Sequence, residues 1–425
     1  MNPAIVIPSY WTESAQPGGL GERGAYDYAT PITKPMPELE TCLSSLEQVR
    51  GVLRVIVLVV APPECEESAR ARVNSICRSH PNLNTLVIGQ QEAAHITQAV
   101  GRLVPNVVGE TVALRGYGAI KNMGLAAACV FGHDVVVFMD DDETVLSQDF
   151  LIKGVYGLGA LTRQNLKICA KSGYFVDEDG SPYANPSHEW TEHYWSKAAD
   201  FNKVMRRAME GTRITRSNHM CGGCCAIHAE AFTKVPFDPY ITRGEDLDYV
   251  LDLRANGFDV WFDNEWSVRM VKPEEMASEP SQFMQDVHRW LYEYRKLDAM
   301  NARRNLRTIT PESLMPYPAP WLSEGVRERV FKTAARRMAK GPHRLAYLHI
   351  LLGGRYEADK FAKSSSTRYL SFAMAWPGIA STLWEDKYLQ SAILRTGEVC
   401  GQAGLTAQKA AAARDLCVPE VEEDL

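Results

Sequence analysis

Read for where apolar residues gather, the first 275 positions break into short β-branched runs separated by stretches of helical spacing. Residues 4–7, 53–60, 85–88 and 135–138 are runs of the kind that form strands buried on both faces of a parallel sheet. Between them, 38–49, 66–78 and 119–130 read as helices. The resulting alternation of strand and helix predicts a doubly wound α/β sheet. It continues with a helix over 150–161, a strand over 167–172, an aromatic-rich and mostly helical excursion over 187–209, and a small-residue strand over 221–227. A helix over 244–256, capped by Gly257, and strands over 258–262 and 266–271 close the sheet. Past a boundary at 273–281 the pattern turns helical, over 282–303, 324–339, 343–352 and again after Tyr356. The expected organisation is an α/β domain over 1–275, a helical region over 276–400 and a flexible acidic tail over 401–425.

The run at 135–138 stops at four consecutive acids, Asp140, Asp141, Asp142 and Glu143. Open α/β sheets bind ligands beyond the carboxyl ends of their strands. Adjacent carboxylates repel one another, and a divalent cation keeps them ionised; oxygen donors suit Mn²⁺ or Mg²⁺, which bridge to nucleotide phosphates. The plainer alternative is a solvated acidic turn that caps the next helix.

Charge and cysteine content narrow the classes. A net charge of −6 gives no general support for binding nucleic acid. Ten scattered cysteines without the spacing of a disulfide scaffold predict a reducing compartment. The opening residues run straight into a strand with no basic region, so no signal peptide is expected, and no apolar run reaches membrane-span length. The expected location is cytoplasmic, with peripheral membrane contact through residues 369–384, an uncharged stretch holding Trp376 and Trp384 after Lys360, Lys363 and Arg368. The plainer reading of that stretch is a buried helix pair. From 301 to 370, fourteen basic residues stand against five acidic ones, so the helical region is locally positive.

Around the acids stand three further motifs. The chain opens Ile5-Val6-Ile7-Pro8-Ser9-Tyr10. Upstream of the acids comes Gly116-Tyr117-Gly118-Ala119-Ile120-Lys121-Asn122-Met123-Gly124, and downstream come Arg243-Gly244-Glu245-Asp246-Leu247-Asp248 and Gly257-Phe258-Asp259-Val260-Trp261-Phe262. In this order and spacing the four motifs resemble the nucleotide-sugar glycosyltransferases of the GT-A fold, family 2 in particular, over residues 3 to 275. The resemblance implies a GT-A α/β fold with a mixed sheet and a helical C-terminal appendage, and transfer of a hexosyl unit from a nucleoside diphosphate sugar to an acceptor hydroxyl on a small molecule, glycan or lipid-linked carrier.

Residue by residue, the resemblance places Pro8, Ser9 and Tyr10 at the nucleotide, with Tyr10 or Trp11 stacking on the base. Lys121 and Asn122 line the donor pocket, and Gly124 lets their helix approach the sheet closely. Asp140 and Asp142 hold the metal, with Asp140 and Asp141 touching the donor. Asp246 is the general base with Glu245 beside it, at a helix start where the dipole favours negative charge. The pattern departs from the family in two places. The second strand ends Ala61-Pro62-Pro63-Glu64, without the usual nucleotide-contacting acid, and the closing strand lacks the usual His ligand, leaving Arg269 or Lys272 to face the diphosphate.

Inversion is the expected stereochemistry, and retention the first alternative. Nucleotidyl transfer would need a Gly-rich basic loop after the first strand, where Pro8-Ser9-Tyr10-Trp11 stands; a non-catalytic carbohydrate-binding module would have no use for intact acids. His219-Met220-Cys221-Gly222-Gly223-Cys224-Cys225 offers thiols for zinc, but with no second Cys pair it reads as a packed strand. Trp190, His193, Tyr194 and Trp195 are either a sugar-stacking platform or a helix–sheet contact.

Overall fold

The computed structural model describes residues 1–13, 26–104, 108–271, 278–397 and 399–400. Lys272, most of the predicted boundary at 273–281 and the tail at 401–425 therefore lie outside the described residues. The strands are β1 (Pro3–Thr12), β2 (Thr30–Pro31), β3 (Val55–Val60), β4 (Thr85–Ile88), β5 (Val135–Phe138), β6 (Glu143–Val145), β7 (Ala170–Val176), β8 (Ile214–Ser217), β9 (Cys225–His228), β10 (Val260–Met270) and β11 (Val399–Cys400).

They form one sheet in the order β11-β4-β3-β1-β5-β9-β7-β10-β6, with β2 beside β1 and β8 beside β10. Strands β4, β3, β1 and β5 run parallel, as their unbroken apolar runs predict. Strand β9 enters antiparallel between β5 and β7, so the sheet is mixed. The α/β class and the helical C-terminal region expected from the sequence are what the structure shows.

Several boundaries differ from the expected ones, each for a physical reason. The first strand runs on to Thr12, because β3 pairs with it as far as Tyr10 and β2 takes up Trp11 and Thr12. Pro8 is tolerated inside it. Val6 O accepts from Met139 N at 3.1 Å, so by alternation Pro8 faces the same side, past the end of β5, where no strand needs its missing N–H. The helix expected to reach 161 ends at Val155, since Gly157 and Gly159 take left-handed φ values of 72° and 79°. A helix unforeseen in the sequence, Gln90–Leu103, bridges β4 and the glycine motif. Of the excursion at 187–209 only Ala198–Met209 is helical. The strand expected over 221–227 starts at Cys225, after a turn in which Cys224 N donates to Cys221 O. The two closing strands are one, β10, with a register irregularity between Phe262 and Ser267.

The region after residue 278 does not keep a core of its own. Trp290, Tyr347, Phe372 and Trp376 belong to the same buried cluster as Val6, Phe138 and Leu251. The helix Glu279–Asn301 packs along the helix Arg355–Leu383, and the pair lies over the helices Gln90–Leu103, Tyr117–Phe131 and Glu245–Ala255 that cover one face of the sheet. Nor is this region wholly helical, for β11 pairs antiparallel with β4, Val399 opposite Leu86. Tyr369 and Trp376 in the 369–384 stretch are buried, and the Trp376 indole donates to Phe232 O at 2.6 Å. That face of the helix is core, and the buried-helix reading holds for it. Among the described residues no helix is long and apolar enough to cross a membrane.

Candidate functional site

The site is built where β1 and β5 leave the sheet. All four residues of β5 are fully buried, and the chain then turns outward into the acids. The four carboxylates do not share one role. Asp141 turns inward, and its Oδ2 accepts a 2.6 Å bond from Ser9 Oγ, which in turn accepts from Trp11 Nε1 at 2.8 Å. Glu143 Oε2 accepts from Asp140 N at 3.1 Å, and a side chain at Gly223 would overlap the same carboxylate. Asp140 and Asp142, two residues apart, keep partly exposed carboxylates on the turn. Val271 N donates to Asp142 O at 2.8 Å, so the end of β10 braces this turn.

Electrostatics separate the acids further. Burial, then the charge of Asp140, pushes Asp142 up to about 7. Burial and Asp142 push Asp141 well above the carboxylate range, and burial with Asp140 and Asp142 does the same to Glu143. A cation between Asp140 and Asp142 would relieve that repulsion. Among the described residues no group of three His, Cys, Asp or Glu side chains could hold a metal by itself. Two carboxylates on one turn are oxygen donors of the kind that would suit a hard divalent cation.

Lys121, at the start of the second turn of the helix Tyr117–Phe131, is 2% exposed. Its ammonium donates to Gly222 O at 3.0 Å, stands 3.5 Å from Asp140 Oδ1 and lies 4.6 Å above the Phe138 ring. Burial opposes its charge, yet Asp140 and Glu245 together outweigh that and hold its pKa above the usual lysine range. Gly124, one turn on, lies against β1 and β5; a Cβ there would meet Val6 Cγ1 at 2.8 Å. This is the close helix–sheet approach anticipated for it.

Glu245 and Asp246 open the helix Glu245–Ala255, after Gly244 at φ 69°. Burial raises Glu245 to about 7, Lys121 opposes the shift, and Asp246 and Asp140 add to it. Asp246 Oδ1 accepts from Leu247 N at 2.7 Å, and its Cβ lies 3.3 Å from where a Gly222 side chain would begin. Gly222 thus stands between Lys121 and Asp246. The small residues of the 219–225 motif are there for close fit. Cys221, Cys224 and Cys225 are buried, and burial raises all three thiols, which fits packing and not zinc.

Other expectations need correction. Pro8 is buried in a paired strand, and Ser9 is fully buried with its hydroxyl on Asp141, so both shape the site from beneath. Asp141 faces Ser9. Trp11 is 1% exposed in the core, whereas Tyr10 beside it is partly exposed. Asn122 is fully buried; its amide donates to Thr111 O and Phe237 O and accepts from Phe237 N. It anchors the 237 loop. Arg269 is exposed on β10, in register with Thr144 beside the acidic turn. Trp195 is core against Phe283 and Trp321, while Trp190 carries Arg336 above its ring at 5.2 Å.

The sequence reading missed two groups. Tyr26 and Tyr117 surround Tyr10, with ring centroids 4.4 and 5.9 Å away. His219, Arg289 and Tyr317 interact electrostatically with Asp246. Arg289 fills the space a Gly244 side chain would need. Its signal in the sequence is a charged row at helical spacing, Arg289, Glu293 and Lys296.

No protein-family model matches the chain, and no curated protein sequence does. Among solved structures it is similar to the mannosyltransferase PcManGT from Pyrobaculum calidifontis, solved with GDP-Man and Mn²⁺, at 16% identity and a TM-score of 0.46, covering 91% of this chain and 88% of that one. It is also similar to glucosyl-3-phosphoglycerate synthase from Mycobacterium tuberculosis, solved with Mn²⁺ and UDP-glucose, at 13% identity and a TM-score of 0.35, covering 69% and 78%. GalNAc-T7, solved with UDP, GalNAc and Mn²⁺, matches at 13% identity and a TM-score of 0.31, covering 80% and 58%.

Proposed function

We propose that this chain is a metal-dependent glycosyltransferase of the GT-A type, moving a hexosyl unit from a nucleoside diphosphate sugar to an acceptor hydroxyl with inversion. The observation that carries the reading is that three separate motifs meet at the carboxyl end of the sheet: Lys121 stands beside Asp140 and feels the charge of Glu245, while Gly222 lies against both Lys121 and Asp246.

In this reading Asp140 and Asp142 hold Mn²⁺ or Mg²⁺, which when bound neutralises charge on the departing diphosphate. Tyr10, flanked by Tyr26 and Tyr117, offers a face to the base. Lys121, kept charged by its carboxylate neighbours, anchors Asp140 and adds positive potential where the leaving group accumulates charge. Asp246 takes the acceptor hydroxyl proton as that oxygen bonds to the anomeric carbon, while the bond to the diphosphate breaks and its electrons leave with the nucleoside diphosphate. The Leu247 N–H fixes the orientation of the Asp246 carboxylate, and Glu245 adjoins it.

A thermal-shift panel of nucleoside diphosphates with and without Mn²⁺ identifies the donor, since a bound ligand stabilises by mass action. With that donor, Asp142→Ala is expected to lose metal-dependent binding. Asp246→Asn is expected to bind it as wild type does and to lose turnover by about 10²-fold or more. Near-wild-type turnover in Asp246→Asn would remove the base assignment, and proton NMR of the product anomer decides between inversion and retention.

A further inference from the structure

Two faces of one helical segment are apolar here, and only one is covered. From Arg344 the chain runs helically through His349, a π-helical turn at Ile350–Gly354 and on into Arg355–Leu383. Tyr347, Ile350, Gly354 and Ala358 point into the core. Two positions before each stands an apolar residue on the opposite side: Leu345 (82% exposed), Leu348 (39%), Leu352 (77%) and Tyr356 (71%). Phe331, on the neighbouring helix Gly325–Lys340, is 49% exposed beneath Arg355, whose guanidinium lies 5.5 Å from its ring. Leu352, Tyr356, Arg327 and Arg355 also line a 320 Å³ crevice floored by Leu291 and Val330. Isolated exposed leucines need no explanation, but a stripe at helical spacing does.

The charge around the stripe says what it fits. Between residues 325 and 363 ten Lys and Arg stand against three Asp and Glu, in a chain whose net charge is −6. Arg344, Arg355 and Lys360 are exposed on the same segment, and Lys340 on the helix before it. A second copy meeting this face across a two-fold would set cation against cation. An anionic bilayer satisfies both halves of the surface, since the leucines enter the headgroup boundary while the cations meet lipid phosphates.

We propose that the exposed face of residues 344–356, with Phe331, is a docking surface for anionic phospholipid membranes. It is separate from the stretch at 369–384, whose Tyr369 and Trp376 are buried, and it lies outside the candidate catalytic site. It does not depend on the nature of the donor or acceptor.

The test is vesicle co-sedimentation of the full chain with phosphatidylcholine alone and with phosphatidylcholine mixed with phosphatidylglycerol. Binding is expected only to the mixed vesicles and is expected to weaken with salt. The exposed double variant Leu345→Glu with Leu352→Glu is expected to reduce it by at least about ten-fold while leaving the thermal unfolding midpoint in place. Arg344→Gln is expected to reduce it by about five-fold. Absence of binding to the mixed vesicles, equal binding to both vesicle types, or binding unchanged in the double variant would overturn the proposal. So would sedimentation velocity showing self-association that the double variant abolishes, since the face would then serve a second copy.

Discussion

Asp286 shows how single charges hold the floor behind the candidate base. It receives Lys197 at 2.9 Å and Arg243 at 3.5 Å, the latter also bonded to Asp27 at 2.9 Å. Burial would raise its pKa, but Lys197, Arg243 and Arg289 outweigh burial and hold it at about 2. Because the folded value lies below the unfolded one, its stabilisation is fully present above about pH 4 and is lost as pH falls through about 2. Asp286→Asn is therefore expected to cost about 2 kcal/mol at neutral pH and to converge on wild type in acid, as urea unfolding across pH would show. Nothing in the sequence marks Asp286, since its ion-pair partners Lys197 and Arg243 stand 89 and 43 positions upstream in two separate segments. Lys121, Asp140 and Asp246 were legible because each sits in a short local motif at the edge of a strand or the start of a helix. Ser9, Asn122 and Asp141 were legible as positions but not as roles. Whether a polar side chain meets ligand or backbone depends on which neighbour folds over it, and local sequence does not encode that.

At the scale of elements, the continuous apolar runs of β3, β4 and β5 mark their strands in the sequence, whereas other boundaries depend on partners far along the chain. Strand β1 was read short because β2 and β3, not its own residues, extend it. The most consequential pairing joins the helix carrying Asp246 to the helix Glu279–Asn301. Lys296 lies fully buried with its ammonium 2.6 Å from Asp248, 2.8 Å from Asp252 and 2.9 Å from Asp238. Tyr292 also donates to Asp238 at 2.8 Å, and the Tyr369 ring covers the ammonium at 3.9 Å. One cation thus ties Asp238 in the 237 loop, the Asp246 helix and two C-terminal helices together. Removing it would leave three carboxylates buried with no countercharge. Lys296→Met is expected to destabilise the fold by about 3–5 kcal/mol, read from chemical denaturation. An unchanged midpoint would mean that the carboxylates take up protons without loss and that the tie is dispensable.

At the scale of the whole molecule, a change of pattern near residue 275 marks a boundary in sequence but not in the core. The apolar face of the sheet that carries Val6, Val136 and Phe138 continues without a break through Leu251 and Tyr249 into Trp290, Tyr292, Trp321 and Trp376. Domains that fold alone keep separate cores, with few contacts across the boundary. Here the outer cover of the helices Tyr117–Phe131 and Glu245–Ala255, and the cation that neutralises Asp238, Asp248 and Asp252, are both supplied from after residue 278. The chain then returns to the opposite edge, where β11 pairs with β4. A chain ending at residue 275 should consequently lack a cooperative thermal transition and bind a hydrophobic dye such as ANS, with near-native far-ultraviolet circular dichroism from the remaining strands and helices. A truncated chain that is monodisperse, unfolds cooperatively and still binds a nucleoside diphosphate with Mn²⁺ would show the opposite. The 1–275 unit would then be a domain in its own right, and the shared core a docking contact that either partner can do without.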